Sequence, residues 1–323
     1  MRRSIEPSTR CCNFSTSAFA RRGTVKSMKA NIKLALWIVV LLILAPAARA
    51  QTERKDPAAA GRYLFALAGG CACHTEPKKE ANAGARPFPI PFGTVYSTNI
   101  TADKETGLGA WSDQQIRDAM IKGVRRDGSK ILPVMPFEKY SGMAEEDLSA
   151  LIAYLRTLKP VRKPTPELES RLPFTRALGA RLYLAFFGRF SSAPAQAPKS
   201  GLERGRYLVE HVAICGDCHT PRNFIGAPNQ TLYMAGMSEK DSAVGERVPN
   251  ITPDRETGIG SWKREEIAEL LMTGVKPDQD NVQGLMAEVV QGVGHGYKDM
   301  TKEDALAIAD YLKSIPPIKN KVP

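Results

Sequence analysis

The sequence contains two copies of one segment, which restricts the chain to folds that can be built twice. Residues 99–111 (NITADKETGLGAW) match residues 250–262 (NITPDRETGIGSW) at an offset of 151. Upstream, residues 61–64 (GRYL) have an identical counterpart at 205–208. We therefore predict a duplicated unit of about 100 residues, the common size of a single domain.

A cysteine motif, Cys215-Gly216-Asp217-Cys218-His219, lies in the second copy. Two cysteines three apart on a helix share one face, where both can bond the vinyl groups of one porphyrin. The next residue is a histidine, and C-x-x-C-H is the spacing typical of c-type haem. A C-x-x-C pair alone also suits half a zinc site or a redox pair. The adjacent histidine and a second copy of the motif favour covalent haem.

The motif of the first copy, Cys71-Ala72-Cys73-His74, is one residue short. Counted from the matched GRYL segments, the first cysteine keeps its place and the histidine comes one residue early. Residues two apart on a helix point about 200° away from each other. We predict that Cys73 forms a thioether, and that Cys71 is either free or attached through a distorted turn. A poorly loaded first haem and a residue lost in sequencing are further interpretations.

The net charge of +11 is concentrated at the N-terminus. Residues 1–50 hold nine Lys or Arg against one acid, whereas the remainder holds 36 against 33. A chain so nearly balanced gives no reason to expect a nucleic-acid partner.

A secretory signal peptide is predicted at the N-terminus. Two lysines precede the apolar run 34–45, and an Ala-x-Ala sequence follows it. We expect cleavage after Ala50 and export to the periplasm, where bacteria attach haem covalently. An uncleaved anchor is the alternative, although a span needs roughly 20 apolar residues. Translation starts at Met1 or at Met28.

Each copy has a helical pattern of apolar residues. Ser112 and Gln115 predict a capping box. Helices are also expected to begin at Asp56-Pro57, Leu202, Ala144 and Thr301. We divide the chain into an N-terminal extension with signal peptide (1–50), a first domain (51–160), a Pro-rich linker (161–200) and a second domain (201–320). The basic aromatic part of the linker, residues 172–190, is interpreted as a strap across both domains, with a membrane-surface segment as the alternative.

The sequence resembles the class I cytochromes c, and most closely the multihaem cytochrome c subunits of periplasmic, membrane-associated alcohol, sorbitol and gluconate dehydrogenases. The resemblance rests on residues 91–101 (PFGTVYSTNIT), the paired Trp segments and residues 218–223 (CHTPRN). It implies an all-α fold of two tandem cytochrome c-like domains. Those subunits typically carry three haem domains and a C-terminal anchor. This sequence holds two such domains.

The sixth iron ligands are predicted from the resemblance and the repeat together. Met135 stands before the last helix of the first domain, where this family places its axial methionine, and Met286 lies 151 residues later. His211 is interpreted as structural, and His295 is the alternative ligand near Met286. The methionines that lack this offset are Met143, Met237 and Met300.

His/Met ligation favours electron transfer over substrate chemistry. We therefore expect two covalent haem c groups, an electron-transfer protein or dehydrogenase subunit rather than a catalyst, and a place in the periplasm. The expected partners are a periplasmic dehydrogenase and a respiratory acceptor such as quinone, with peripheral membrane association left open. The alternative is a dihaem redox enzyme, peroxidase-like or thiosulfate-oxidising, with one open haem.

Overall fold

The computed structural model describes residues 56–170, 178–238 and 245–322. The predicted signal peptide and its cleavage site lie outside the described residues. The described residues form one compact, mostly helical unit. Its α-helices are α1 Pro57–Leu67, α2 Asp113–Lys122, α3 Phe137–Tyr140, α4 Glu145–Leu155, α5 Ala180–Phe187, α6 Gly201–Tyr207, α7 Cys215–His219, α8 Arg264–Thr273, α9 Gly284–Gln291 and α10 Lys302–Ser314.

The predicted helix starts are confirmed at their caps. The Asp56 carboxylate accepts the N–H of Ala58 at 3.0 Å, ahead of Pro57. Ser112 and Gln115 form the capping box at the start of α2. Thr301 caps α10. Each cap satisfies a backbone donor that the first turn of a helix leaves without an intrahelical partner.

A small antiparallel sheet lies beside the helices of the first copy. β1 (Pro87–Ile90) pairs with β2 (Gly93–Tyr96), and β2 pairs with β3 (Glu169–Ser170). β3 belongs to the predicted linker. The beginning of the linker is therefore held against the first copy by backbone hydrogen bonds.

The first and last helices of each copy cross at a glycine. A Cβ on Gly61 of α1 would lie 1.9 Å from the carbonyl oxygen of Ala150 in α4. A Cβ on Gly205 of α6 would lie 1.9 Å from that of Ala307 in α10. The missing side chain lets the two backbones touch. The same crossing is thus built twice, once in the first half (residues 56–160) and once in the second half (residues 201–322).

The two halves are joined by exchanged hydrogen bonds. The hydroxyl of Tyr63 in the first half donates to Asp304 of the second at 2.8 Å. The hydroxyl of Tyr207 in the second half donates to Asp147 of the first, also at 2.8 Å. Each aspartate lies in the first turn of its half's last helix. The exchange gives the pair of halves an approximate two-fold relation.

The predicted strap contacts both halves. Its helix α5 lies against the second half, where the Tyr183 hydroxyl donates to the carbonyl oxygen of Gly226 at 3.3 Å. Further along, the Phe190 ring lies 6.1 Å from that of Phe137 in the first half. No helix in the described part of the chain is both long and apolar enough for a membrane span.

Candidate haem sites

The second motif forms a short regular helix. Cys215–His219 is α7, and the residue before it, Ile214, has a left-handed backbone with φ +48°. Cys215 and Cys218 are therefore one turn apart on one face, as a porphyrin edge requires. Cys215 is half-buried against the core and Cys218 is exposed.

The first motif reaches its histidine by a different backbone path. Gly69–His74 is a 3₁₀ helix with three left-handed residues at its start. Their φ angles are +68° at Gly69, +60° at Gly70 and +50° at Cys71. A non-glycine residue in this region costs roughly 1–2 kcal/mol. The distorted turn considered for Cys71 is thus present, and it replaces the missing residue.

The cysteines of the two motifs have matching environments despite these different paths. Cys71 is half-buried against the core like Cys215, and Cys73 is exposed like Cys218. Burial raises the pKa of the Cys71 and Cys215 thiols to about 12. All four cysteines are free. Redox pairs have thiol pKa values below the usual one, so the raised pKa values argue against a redox pair.

Cys73 and Cys218 are accessible to solvent and yet largely surrounded by protein. Loss of hydration is the main reason that the pKa of Cys73 rises to about 11, and it raises the pKa of Cys218 as well. Each sulfur therefore lies in a recess rather than on a convex surface. Within the described residues, no three His, Cys, Asp or Glu side chains are grouped to hold a metal ion, whereas a structural zinc site uses four ligands.

Both motif histidines are oriented by a backbone carbonyl. His74 Nδ1 lies 2.7 Å from the carbonyl oxygen of Thr98, and His219 Nδ1 lies 2.8 Å from that of Pro249. A carbonyl only accepts, so each Nδ1 carries the proton and each Nε2 keeps its lone pair for a metal. Burial lowers the pKa of both imidazoles, which keeps them neutral. This arrangement suits a proximal iron ligand.

Four of the methionines form two matched pairs that differ in burial. Met135 and Met286 are half-buried beside the core. Met143 and Met300 are only 2% and 3% exposed. Met143 and Met300 are 157 residues apart, so a comparison of residues 151 apart does not pair them. Full burial assigns Met143 and Met300 to core packing, because a thioether that ligates iron must face the porphyrin.

Other apolar side chains remain half-exposed at matched positions. Trp111 and Trp262 form one such pair, and Ile121 and Met272 form another. Large apolar groups left partly uncovered at the same place in both halves fit a flat apolar cofactor. The residues present therefore fit haem: two thiols, a neutral imidazole, a thioether and apolar walls in each half.

The matched asparagines shape a loop. The Asn99 side-chain amide donates to Thr106 at 3.0 Å and to the carbonyl oxygen of Val161 at 2.8 Å. Asn250 makes the same two bonds to Thr257 and Ile318. These bonds hold the loop that follows each asparagine.

The remaining histidines have protein partners. His211 Nδ1 lies 2.9 Å from the carbonyl oxygen of Lys139, which places the ring between the two halves. This contact agrees with the structural role predicted for it. His295 Nδ1 lies 2.9 Å from the carboxylate of Asp299.

The two cysteine motifs lie close together in the fold. Asp217 of the second motif is close enough to Cys73 of the first to raise the pKa of its thiol, after the larger effect of burial. Helix α9, which carries Met286, packs on the first motif, where Val289 would meet a Cβ on Gly69 at 3.1 Å. Arg86 and Glu288 form an ion pair at 2.5 Å across the same contact. The two recesses are therefore neighbours.

Comparison with curated proteins gives a consistent set of relatives. The chain is 37% identical over 291 residues to the fructose dehydrogenase cytochrome subunit of Gluconobacter japonicus, covering 86% of this chain and 58% of that one. It is 34% identical over 288 residues to the gluconate 2-dehydrogenase cytochrome c subunit of Pantoea cypripedii, covering 86% and 64%. It is 33% identical over 272 residues to the "Diheme cytochrome c-type" protein of Cereibacter sphaeroides, covering 81% and 87%.

These relatives differ in how much of their length is matched. The chain spans about three fifths of the dehydrogenase subunits and most of the dihaem protein. No family model matches the chain.

Proposed function

The chain belongs to the family of c-type cytochromes that includes these relatives, and from that premise we propose a dihaem electron carrier. The observation that carries the proposal is the pair of matched donor sets, one in each half, with both histidines oriented by a carbonyl. Haem c, when bound, supplies a one-electron iron couple. The protein's part is to bind the two groups, orient their ligands and hold them near each other.

The ligands proposed for each iron come from one half. His74 and Met135 serve the first, and His219 and Met286 serve the second. The carbonyl oxygens of Thr98 and Pro249 hold the imidazoles in the tautomer that ligates. With a histidine and a methionine as its protein ligands, each haem would favour electron transfer over binding of a substrate at the iron.

We propose thioether bonds at all four motif cysteines. Cys215 and Cys218 have the regular helical spacing. The left-handed turn gives Cys71 the half-buried environment of Cys215, so attachment through the distorted turn is favoured over a free thiol. Cys73 keeps its spacing to His74.

Two tandem class I cytochrome c-like domains, residues 51–160 and 201–320, are part of the same proposal, with residues 161–200 as the linker. The repeated crossing of first and last helices at Gly61 and Gly205 supports it. So do the repeated loop bonds of Asn99 and Asn250. The exchanged hydrogen bonds would then join two domains of similar fold.

A periplasmic dehydrogenase is proposed as the electron donor, with quinone or another respiratory component as the acceptor. Several relatives are named as cytochrome subunits of dehydrogenases that oxidise fructose, alcohols or gluconate. Export through a signal peptide cleaved after Ala50 would place the chain with such a partner. Redox partners usually dock transiently over a small interface.

The haem count is tested by a pyridine haemochrome assay and intact mass on protein purified from the periplasm. Two haem groups per chain and four thioether bonds are expected. Haem attached by a single thioether retains one vinyl group, which moves the α-band to longer wavelength. One haem per chain, or a retained vinyl group, would overturn this part of the proposal.

The axial ligands are tested by Met135→Ala and Met286→Ala in separate variants. Each is expected to remove the methionine-to-iron charge-transfer band of one haem in the oxidised protein. Met300→Leu is the matched control, since Met300 lies in the second half and packs in the core. A full band in Met135→Ala would show that another methionine ligates the first iron. Absence of the band from one haem of the wild-type protein would favour the redox-enzyme alternative.

A further inference from the structure

One face of the strap helix carries a row of exposed apolar side chains. Leu178, Leu182, Phe186 and Phe190 are 55%, 50%, 78% and 54% exposed. They follow one another at intervals of four residues, so those in or beside α5 lie along one side of it. We call these four residues the apolar stripe. Single exposed apolar residues are ordinary, but a continuous row marks an interaction surface.

The opposite face of the helix holds the stripe outward. Ala180 is buried, and the Tyr183 hydroxyl donates to the carbonyl oxygen of Gly226. At the far end, the backbone N–H of Arg189 donates to the Glu138 carboxylate at 3.1 Å. Because the helix is fixed at both ends, it cannot turn to bury the stripe against its own chain.

The segment that carries the stripe has charges of one sign only. Residues 170–202 contain no Asp or Glu, and their cations are Arg171, Arg176, Arg181, Arg189 and Lys199. Arg181 and Arg189 are exposed beside the stripe. Among the described residues, neither forms an ion pair. The surface thus combines the apolar stripe with two guanidinium groups that have no acidic partner within ion-pair distance among the described residues.

From this combination we propose that the apolar stripe and its arginines dock the protein on an anionic lipid bilayer. Interfacial helices place Leu and Phe at the headgroup boundary and basic residues against lipid phosphates. A second insertion point adjoins the helix. Phe224 is 87% exposed in the turn that ends at Gly226, the residue bonded to Tyr183.

A bilayer explains the surface better than a protein partner does. A stable protein interface buries about 800 Å² on each side over a broad patch. The stripe is only one helix wide, which is narrower than such a patch. Docking on lipid requires only this surface. It does not require that quinone in the bilayer is the electron acceptor.

The experiment uses the purified haem-loaded protein and vesicles of phosphatidylcholine, with or without phosphatidylglycerol. Hydrogen exchange reports on each peptide separately. Protection of residues 178–190 can therefore be distinguished from any vesicle binding by the N-terminal segment. We expect anionic vesicles to protect this segment, neutral vesicles to protect it much less, and high salt to reverse most of the protection.

Two variants separate the apolar and electrostatic contributions. Leu182→Gln with Phe186→Gln should weaken vesicle binding by about tenfold or more, since these substitutions remove two apolar side chains that the bilayer would bury. Arg181→Gln with Arg189→Gln should weaken it several-fold and remove much of the salt dependence. Leu202→Gln is the matched control, because Leu202 is 48% exposed but lies outside the stripe. This variant should bind vesicles as the wild type does.

Two outcomes would overturn the proposal. The first is an absence of protection at residues 178–190 on anionic vesicles. The second is unchanged vesicle binding in the Leu182/Phe186 variant. Protection by a purified dehydrogenase subunit and not by vesicles would reassign the stripe to a protein interface. An unchanged haem spectrum and denaturation midpoint in each variant exclude misfolding as the cause of lost binding.

Discussion

The two cysteine motifs reach similar environments by different backbone paths. In the second half, one left-handed residue, Ile214, leads into a regular helix. In the first half, Gly70 takes the place of Ile214, and Gly69 and Cys71 on either side of it are left-handed as well. Cys71 is half-buried like Cys215, and Cys73 is exposed like Cys218. The comparison teaches that two glycines before a shortened motif let the backbone place its cysteines in the same environments as those of the full motif.

The strongest test transfers the defect from one half to the other. Deleting Gly216 gives the second motif the spacing of the first, but Ala213 and Ile214 precede it. Because Ile214 is already left-handed, Ala213 and Cys215 are the residues that would have to turn left-handed, as Gly69 and Cys71 do. Each such turn costs roughly 1–2 kcal/mol, or about tenfold per 1.4 kcal/mol. We expect the second haem to be largely lost, as measured by haemochrome content and intact mass.

Two companion variants sharpen this result. Adding Ala213→Gly and Ile214→Gly to the deletion should restore much of the second haem. Inserting Gly after Ala72 in the first motif should preserve the first haem. If the deletion variant keeps its full haem content without added glycines, then the glycines before the first motif have no such role.

The second prediction compares the two helix crossings. Gly61→Ala and Gly205→Ala would each place a Cβ 1.9 Å from a carbonyl oxygen of the last helix. Each should lower the free energy of unfolding by about 3 kcal/mol, because the helices must move apart. Denaturant unfolding measures both. Ala60→Gly, on the exposed side of α1, is the control and should cost about 1 kcal/mol.

Equal losses in the two glycine variants would support equivalent halves. A loss confined to one of them would show that only one crossing bears on stability.

The third prediction concerns the exchanged tyrosine bonds. Tyr207→Phe should cost about 1–2 kcal/mol, since it leaves the buried N–H of Ala144 and the Asp147 carboxylate without a partner. Tyr63→Phe should cost less than about 1 kcal/mol, because Asp304 keeps its ion pair with Arg204 at 2.8 Å. Urea unfolding of the two variants gives the difference. Equal costs would contradict the role given to Arg204.

The smallest expected effect is a pH dependence centred on Asp147. Burial raises the pKa of its carboxyl group, so the folded state binds its proton more tightly than the unfolded state does. Stability from this group is therefore complete below the unfolded pKa of about 3.9 and falls as pH rises through the higher folded value. Asp147→Asn should flatten that part of the stability profile.

The control for Asp147→Asn is Asp113→Asn, whose side chain is 73% exposed. The two variants are compared by denaturant unfolding across the acidic range. A profile as steep in Asp147→Asn as in the wild type would assign the slope to other groups.

Much of the local structure could be read from the sequence, because it depends on neighbouring residues. Asp56, Ser112 and Thr301 cap helices where predicted, since capping needs only a short side chain and the next three residues. The pairing of Met143 with Met300 could not be read from a single offset, because the two halves differ in length between Met135 and the last helix. The deeper burial of Met143 and Met300 became visible only in the packed structure.

By itself the sequence determined the repeat, the helical character, the two cysteine motifs and the place of the missing residue between Cys71 and Cys73. Each of these follows from spacing along the chain. Only the tertiary structure decided that left-handed glycines absorb the missing residue and that the two motifs are neighbours. It also decided that the strap turns its apolar stripe outward. These depend on contacts between residues far apart in sequence, which no local pattern encodes.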